Sequence, residues 1–216
     1  MHHIATLDAC LQRIEAMLAA APADSPRRML GIVGAPGAGK STLSAQLAQA
    51  LGARAVVVPM DGYHLANAEL ARLGRANRKG AADTFDSAGY VALLRRLKAA
   101  VPNETVYAPE YTRDYEEGIA GAIAVGSDTP LIITEGNYLL FEDGPWANVK
   151  ALLDETWYVD VEPALRQSRL VERHMRFGRS REDALAWVES TDEPNARLIA
   201  ATAPRADVTF RWPEAR

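Results

Sequence analysis

The strongest chemical signal in the 216-residue chain is Gly34-Ala35-Pro36-Gly37-Ala38-Gly39-Lys40-Ser41, which fits the pattern G-x-x-x-x-G-K-[ST]. Glycines at these spacings let successive backbone N–H groups turn onto the oxygens of a polyphosphate, and the N-terminus of a following helix adds its dipole. Lys40 would neutralise charge on the β- and γ-phosphates, the Ser41 hydroxyl would ligate Mg²⁺, and Thr42 could reach the α-phosphate. A Gly-rich turn that merely caps a helix is the plain alternative. The flanks argue against it: the apolar run Met29–Val33 comes just before, and Leu43, Leu47 and Leu51 share one face of a helix expected over Ser41–Leu51.

Two acidic residues stand at the ends of apolar runs. Asp61 follows the strand-like segment 54–60, at the edge of an open α/β sheet where ligands bind. An Asx-turn carboxylate stabilising Asp61-Gly62 is the competing role. Glu135 ends Leu131-Ile132-Ile133-Thr134, where a phosphate-loop protein holds an acid near Mg²⁺, and a solvated strand-end glutamate is its alternative. Arg166, Arg169, Arg173 and Arg176 recur at i, i+3, i+7 and i+10, an arc of about 80° on one helical face, and Arg179 and Arg181 extend it. Such a stripe belongs either to a lid that closes on nucleotide or to a plain surface helix.

These residues need elements to hold them. Ile4, Leu7, Leu11, Ile14 and Leu18 predict an amphipathic helix over about residues 4–20, broken by Pro22 to Pro26. Buried strands are predicted at 29–33, 54–60, 131–134 and 157–161, with a weaker one at 208–210. Pro59 places the second of these near the sheet's edge. A helix around Tyr90–Leu97 ends before Pro102, residues 105–125 could form a hairpin, and helices are expected at 163–177 and 181–190. Strands alternating with helices imply parallel crossovers and an α/β, three-layer P-loop NTPase fold: a mainly parallel sheet, helices on both faces and a helical lid. The expected organisation is an N-terminal helix packed on the core (residues 1–26) and one domain over 27–216, with the lid at about 166–190.

Composition limits the partners. Hydrophobic residues make up 48% of the chain, and 24 Lys plus Arg against 28 Asp plus Glu leave a formal charge of −4, so no net basic field exists to grip nucleic acid. The single cysteine, Cys10, excludes an intramolecular disulfide and a cysteine-based metal site, which fits a cytoplasmic setting. No apolar run reaches the 18 or so residues of a membrane span, so no membrane partner is expected. Oligomeric state cannot be read from the sequence.

The phosphate loop, Met60-Asp61-Gly62-Tyr63-His64, Arg78-Lys79-Gly80 with Thr84-Phe85-Asp86, Pro109-Glu110-Tyr111-Thr112-Arg113 and Glu135-Gly136-Asn137-Tyr138, in that order, resemble the uridine kinase, phosphoribulokinase and bacterial pantothenate kinase group. Within it the chain looks most like bacterial proteins labelled nucleoside/nucleotide kinase family or fructose transport system kinase, over residues 27 to 210. The resemblance implies ATP and Mg²⁺ as cofactors and a small-molecule alcohol (sugar, nucleoside or pantothenate-like) as acceptor. It implies Asp61 as the base that takes the hydroxyl proton, and places His64, Arg78, Lys79, Tyr111, Arg113 and Asn137 around the acceptor. Arg169 and Arg173 match the lid arginines best. Arg113 departs from the pantothenate kinases, which have histidine there, and would favour a more anionic or hydroxyl-rich acceptor. Asn195, in Asp192-Glu-Pro-Asn-Ala-Arg197, matches a segment near the lid that approaches substrate or nucleotide; a helix N-terminus capped by Asp192 is the alternative. Two other functions compete. Asp86-Ser-Ala-Gly89 fits the GTPase pattern D-x-x-G, but no N-K-x-D accompanies it. A nucleotide-binding regulator without transfer activity would need neither Asp61 nor the lid arginines.

Overall fold

The computed structural model describes residues 2–22 and 27–212. Six parallel strands form the central sheet: β1 (His2–Ile4), β2 (Arg28–Val33), β3 (Ala55–Pro59), β6 (Leu131–Gly136), β7 (Glu155–Asp160) and β8 (Val208–Arg211), in the order β1-β8-β7-β2-β6-β3. The intervening β4 (Val106–Thr112) and β5 (Glu117–Val125) make a separate antiparallel hairpin. The period-2 alternation of strand side chains builds two cores from one sheet. Leu30, Ile32, Leu131, Ile133, Val208 and Phe210 face the side covered by α1 (Leu7–Ala19) and α2 (Lys40–Leu51). Met29, Val33 and Ile132 face the opposite side, under α4 (Ser87–Ala99) and α7 (Glu193–Ala200). The fold is therefore three-layered, and β3 with its Pro59 is an edge strand.

The remaining helices lie around the carboxyl end of the sheet. A short α3 (Asn67–Arg72) and several 3₁₀ turns fill 60–84, while α5 (Pro163–Arg176) and α6 (Arg181–Trp187) follow β7. Leu170, Val171, Ala184 and Val188 give these last two a small core of their own. No helix among the described residues is long and apolar enough to cross a membrane.

Two boundaries differ from expectation. Ile4 is not helical: it pairs with Phe210 in β1, and α1 begins at Leu7 with the Thr6 hydroxyl accepting from the Ala9 N–H at 3.2 Å. A three-residue strand is too short to show alternation, and Ile4 falls by chance on the helical spacing. The N-terminal segment thus supplies an edge strand as well as a helix. The expected helix at 181–190 leaves α-geometry after Trp187, passes through a π-helical turn at Val188–Asp192 and continues as α7. Asp192 therefore caps nothing; its carboxylate lies 2.8 Å from His174 Nε2. Most of the break expected at Pro22–Pro26, and the boundary at residue 26, fall outside the described residues.

Candidate active site

The phosphate loop joins β2 to α2 at the carboxyl end of the sheet, flanked by the ends of β6 and β7. Gly37 and Gly39 adopt φ of 79° and 95°, a region that L side chains avoid, so the loop's tight curve needs glycine at both. Gly34, Ala35 and Ala38 form its inner wall, whereas Pro36, Gly37, Gly39, Lys40, Ser41 and Thr42 line a cleft of about 720 Å³. Lys40 Nζ donates to the carbonyls of Gly34 (2.9 Å) and Ala35 (3.2 Å) and to Asn137 Oδ1 (2.7 Å). The Ser41 hydroxyl donates to Glu135 Oε1 at 2.7 Å.

β6 aligns the second half of this arrangement. Its register with β2 sets Glu135 beside Ile32, and Asn137 follows directly, so two consecutive polar positions meet Ser41 and Lys40. Burial is the chief influence on both charges. It pushes the Lys40 ammonium below its ordinary pKa, against the pull of Glu135 and Asp61, and it pushes the Glu135 carboxyl up, with Asp61 adding repulsion. The Glu135 carboxylate and the Ser41 hydroxyl are hard oxygen donors, as Mg²⁺ prefers. Among the described residues no cluster of three or more His, Cys, Asp or Glu side chains forms a cage.

Asp61 sits in a 3₁₀ turn (Met60–Tyr63) just past β3 and lines the same cleft. Its carboxylate makes no hydrogen bond among the described residues; the turn is closed by main-chain atoms, with the Asp61 carbonyl accepting from the His64 N–H at 3.1 Å. The Asx-turn role thus lacks its defining bond. His64 Nδ1 lies 2.7 Å from the same carbonyl, its ring packs on Phe85 and Tyr111, and burial lowers its pKa. Burial also pushes the Tyr111 phenol up to about 12, which keeps it a neutral donor.

Of the residues expected around an acceptor, His64, Lys79, Tyr111, Arg113 and Asn137 line the cleft. Lys79 lies over the Tyr111 ring and bonds Asn67 Oδ1 and the Glu116 carbonyl. Arg78 does not line it; its exposed guanidinium pairs with Asp83. Asn195 is half-buried in α7 and also stays outside. The arginine stripe splits likewise. Arg169 and Arg173 face the cleft, whereas Arg166 is only 5% exposed, pairs with Glu193 and reaches the Pro36 carbonyl, and Arg176 is exposed. Arg173 has no direct ion pair or hydrogen bond among the described residues, and burial followed by Arg113 lowers its pKa.

Sequence reasoning missed Asn67, Phe177, Trp187 and Trp212, all of which line the cleft, as does Arg179 from the extension of the arginine stripe. Arg113 lies over Phe177 at 6.0 Å, linking the hairpin to α5, and Arg179 lies over Trp187 at 4.0 Å. Phe177 and Trp187, exposed or half-exposed aromatics beside an arginine-rich stretch, were the available signal. Trp212 had none beyond its type.

Residues 29–214 match the Phosphoribulokinase / Uridine kinase family. A crystal structure of a "putative fructose transport system kinase" from Silicibacter sp. TM1040 is 40% identical and superposes with a TM-score of 0.86, covering 96% of this chain and 99% of that one. A uridine kinase of Halobacterium salinarum is 28% identical over 85% of this chain and 79% of its own, and a pantothenate kinase of Rhodococcus jostii is 29% identical over 85% and 66%. The described phosphate loop, the three-layer parallel sheet and these likenesses agree: the chain is a small-molecule kinase and belongs to the phosphoribulokinase/uridine kinase family.

Proposed function

We propose that the protein transfers the γ-phosphate of ATP to a hydroxyl group of a small polar acceptor, a sugar, nucleoside or pantothenate-like alcohol, with Asp61 as the proton-accepting base. The observation that carries this is the Asp61 carboxylate, unpaired among the described residues, in one cleft with the phosphate loop, Glu135 and Arg173. A carboxylate there aligns the acceptor hydroxyl and removes its proton as the bond to phosphorus forms. Ser41 and Glu135 would hold Mg²⁺, which neutralises phosphate oxygens. Lys40 would exchange its carbonyl and amide acceptors for the β- and γ-phosphates, and Arg173, with Arg169, would face the charge that spreads over the transferring group. His64, Lys79, Tyr111 and Arg113 would hold the acceptor, the arginine supplying a bidentate donor for a carboxylate, phosphate or vicinal hydroxyls.

Acceptor identity does not follow from relatedness, since the uridine and pantothenate kinases above are equally distant from this chain. The test is ATP consumption with a panel of free sugars, nucleosides, pantothenate and glycerate, in wild type and in Asp61→Asn. Acceptor-dependent turnover that the variant loses while it still binds ATP supports the proposal. Nucleotide binding with no acceptor-dependent turnover in the wild type would favour a regulator instead.

A further inference from the structure

Trp212 stands just past the end of β8 and continues the inward side of that strand, after Val208 and Phe210, so its indole packs edge-to-face on Phe210 with ring centroids 4.9 Å apart. The five-membered part of the ring lies against the phosphate loop: a Cβ placed on Gly39 would fall 2.9 Å from Nε1 and 3.5 Å from Cε2. This N–H is buried and finds no acceptor among the described residues. An unsatisfied buried donor is costly and rare, and here it belongs to a residue lining the cleft.

The sheet order shows which part of a nucleotide would reach it. The phosphate loop follows β2; Glu135 and Asp61 follow β6 and β3, on one side of β2, whereas β7 and β8 lie on the other. With the reacting end of a triphosphate turned toward Asp61, the α-phosphate and nucleoside extend the opposite way, toward β8 and Trp212. Resting on the reading of this cleft as a nucleotide site, we infer that Trp212 is a nucleotide-binding residue whose indole N–H donates to the nucleoside half of ATP (ribose or base) and whose ring walls that end of the site. Gly39 is then required twice, for its left-handed φ and because any side chain would displace this ring.

The experiment is calorimetric titration of wild type and Trp212→Phe with ATP, ADP and inorganic triphosphate, each with Mg²⁺. Phenylalanine keeps an aromatic wall, a smaller one, and removes the donor. ATP and ADP affinities should fall about tenfold, the loss of one hydrogen bond to a buried donor, while triphosphate binding stays unchanged and thereby shows that the loop and fold are intact. Equal nucleotide affinities in the two proteins would overturn the inference, as would an equal loss for triphosphate, which would make Trp212 a support of the loop only. If the wild type bound neither ATP nor triphosphate, the nucleotide-site reading itself would fail, a result distinct from both.

Discussion

The two sides of the cleft are built on different physical terms. On the phosphate-loop side the groups sit at the start of α2 and at the end of the neighbouring strand β6, Lys40 and Glu135 are buried, and the set is satisfied: Lys40 has three acceptors and Ser41 is bonded to Glu135. On the proposed acceptor side they come from four separate segments, the turn after β3, the 76–80 stretch, the hairpin and α5, and Asp61, Arg113 and Arg173 have no direct ion pair or side-chain hydrogen bond among the described residues. A preorganised half of this kind can be fixed by main chain and burial. The other half can change its acceptor by exchanging loop side chains with little disturbance to the core, which is consistent with the different acceptors named among similar proteins.

If that contrast is right, the largest effect comes from removing chemistry and leaving structure intact. Asp61→Asn is nearly isosteric and loses no hydrogen bond of the resting protein, so kcat should drop by about 10²- to 10⁴-fold with melting temperature and ATP affinity preserved. Activity at the wild-type level would remove Asp61 from the mechanism. Arg173→Ala should lower kcat by about a hundredfold or more with resting ATP affinity little changed, because the guanidinium has no direct partner to leave behind. A change of only a few-fold would make α5 a structural face.

A smaller effect separates the two arginines expected on the acceptor side. Arg113→Ala should raise the acceptor KM about tenfold with a lesser change in kcat, as for a lost charge-assisted bond. Arg78→Ala should stay within about twofold, since Arg78 pairs with Asp83 outside the cleft and exposed ion pairs contribute little. Matching effects of the two would erase the distinction drawn between them.

The smallest expected effect concerns pH on the phosphate-loop side. Burial and Asp61 raise the Glu135 pKa, so a proton competes for this carboxylate at higher pH than for an ordinary glutamate. Metal binding needs the ionised form; the share of ATP affinity contributed by Mg²⁺ should therefore shrink as pH falls, beginning at a higher pH than an ordinary glutamate would require. Glu135→Gln should lower that share and flatten its pH dependence relative to wild type, checked by titrations with and without EDTA. Parallel pH curves in the two proteins would exclude Glu135 from the metal site.

The same division decided what the sequence disclosed. The nucleotide half was legible because Gly34–Ser41 is contiguous and its flanking strand and helix are strongly patterned. The main strands were legible because burial on both faces leaves unbroken apolar runs, and Pro59 marked its edge. β1 was not, since three residues carry no period and its pairing with β8 spans the whole chain. The cleft's far wall was harder still. Helical spacing put Arg166 and Arg176 with Arg169 and Arg173, but a shared arc does not say where the neighbouring surfaces end: α7 takes Arg166 through Glu193, and Arg176 passes beyond the cleft. Trp212 depends on the height of β8 relative to the loop after β2, which no local pattern encodes.

At one point the acceptor side is bound to the rest with no side chain between. The carbonyl of Pro109 in β4 would lie 2.3 Å from a Cβ on Gly62, and the carbonyl of Gly62 would lie 2.4 Å from a Cβ on Gly118 in β5. Both hairpin strands therefore press bare backbone against the turn that carries Asp61. Mechanically this makes the hairpin and the turn one piece: a rotation of the ribbon that repositioned Tyr111 and Arg113 would carry Asp61 with it. For anyone grafting a different acceptor loop onto this scaffold, residues 60–64 and 106–125 are a single transplantable part, and moving the ribbon alone would break the joint at two glycines.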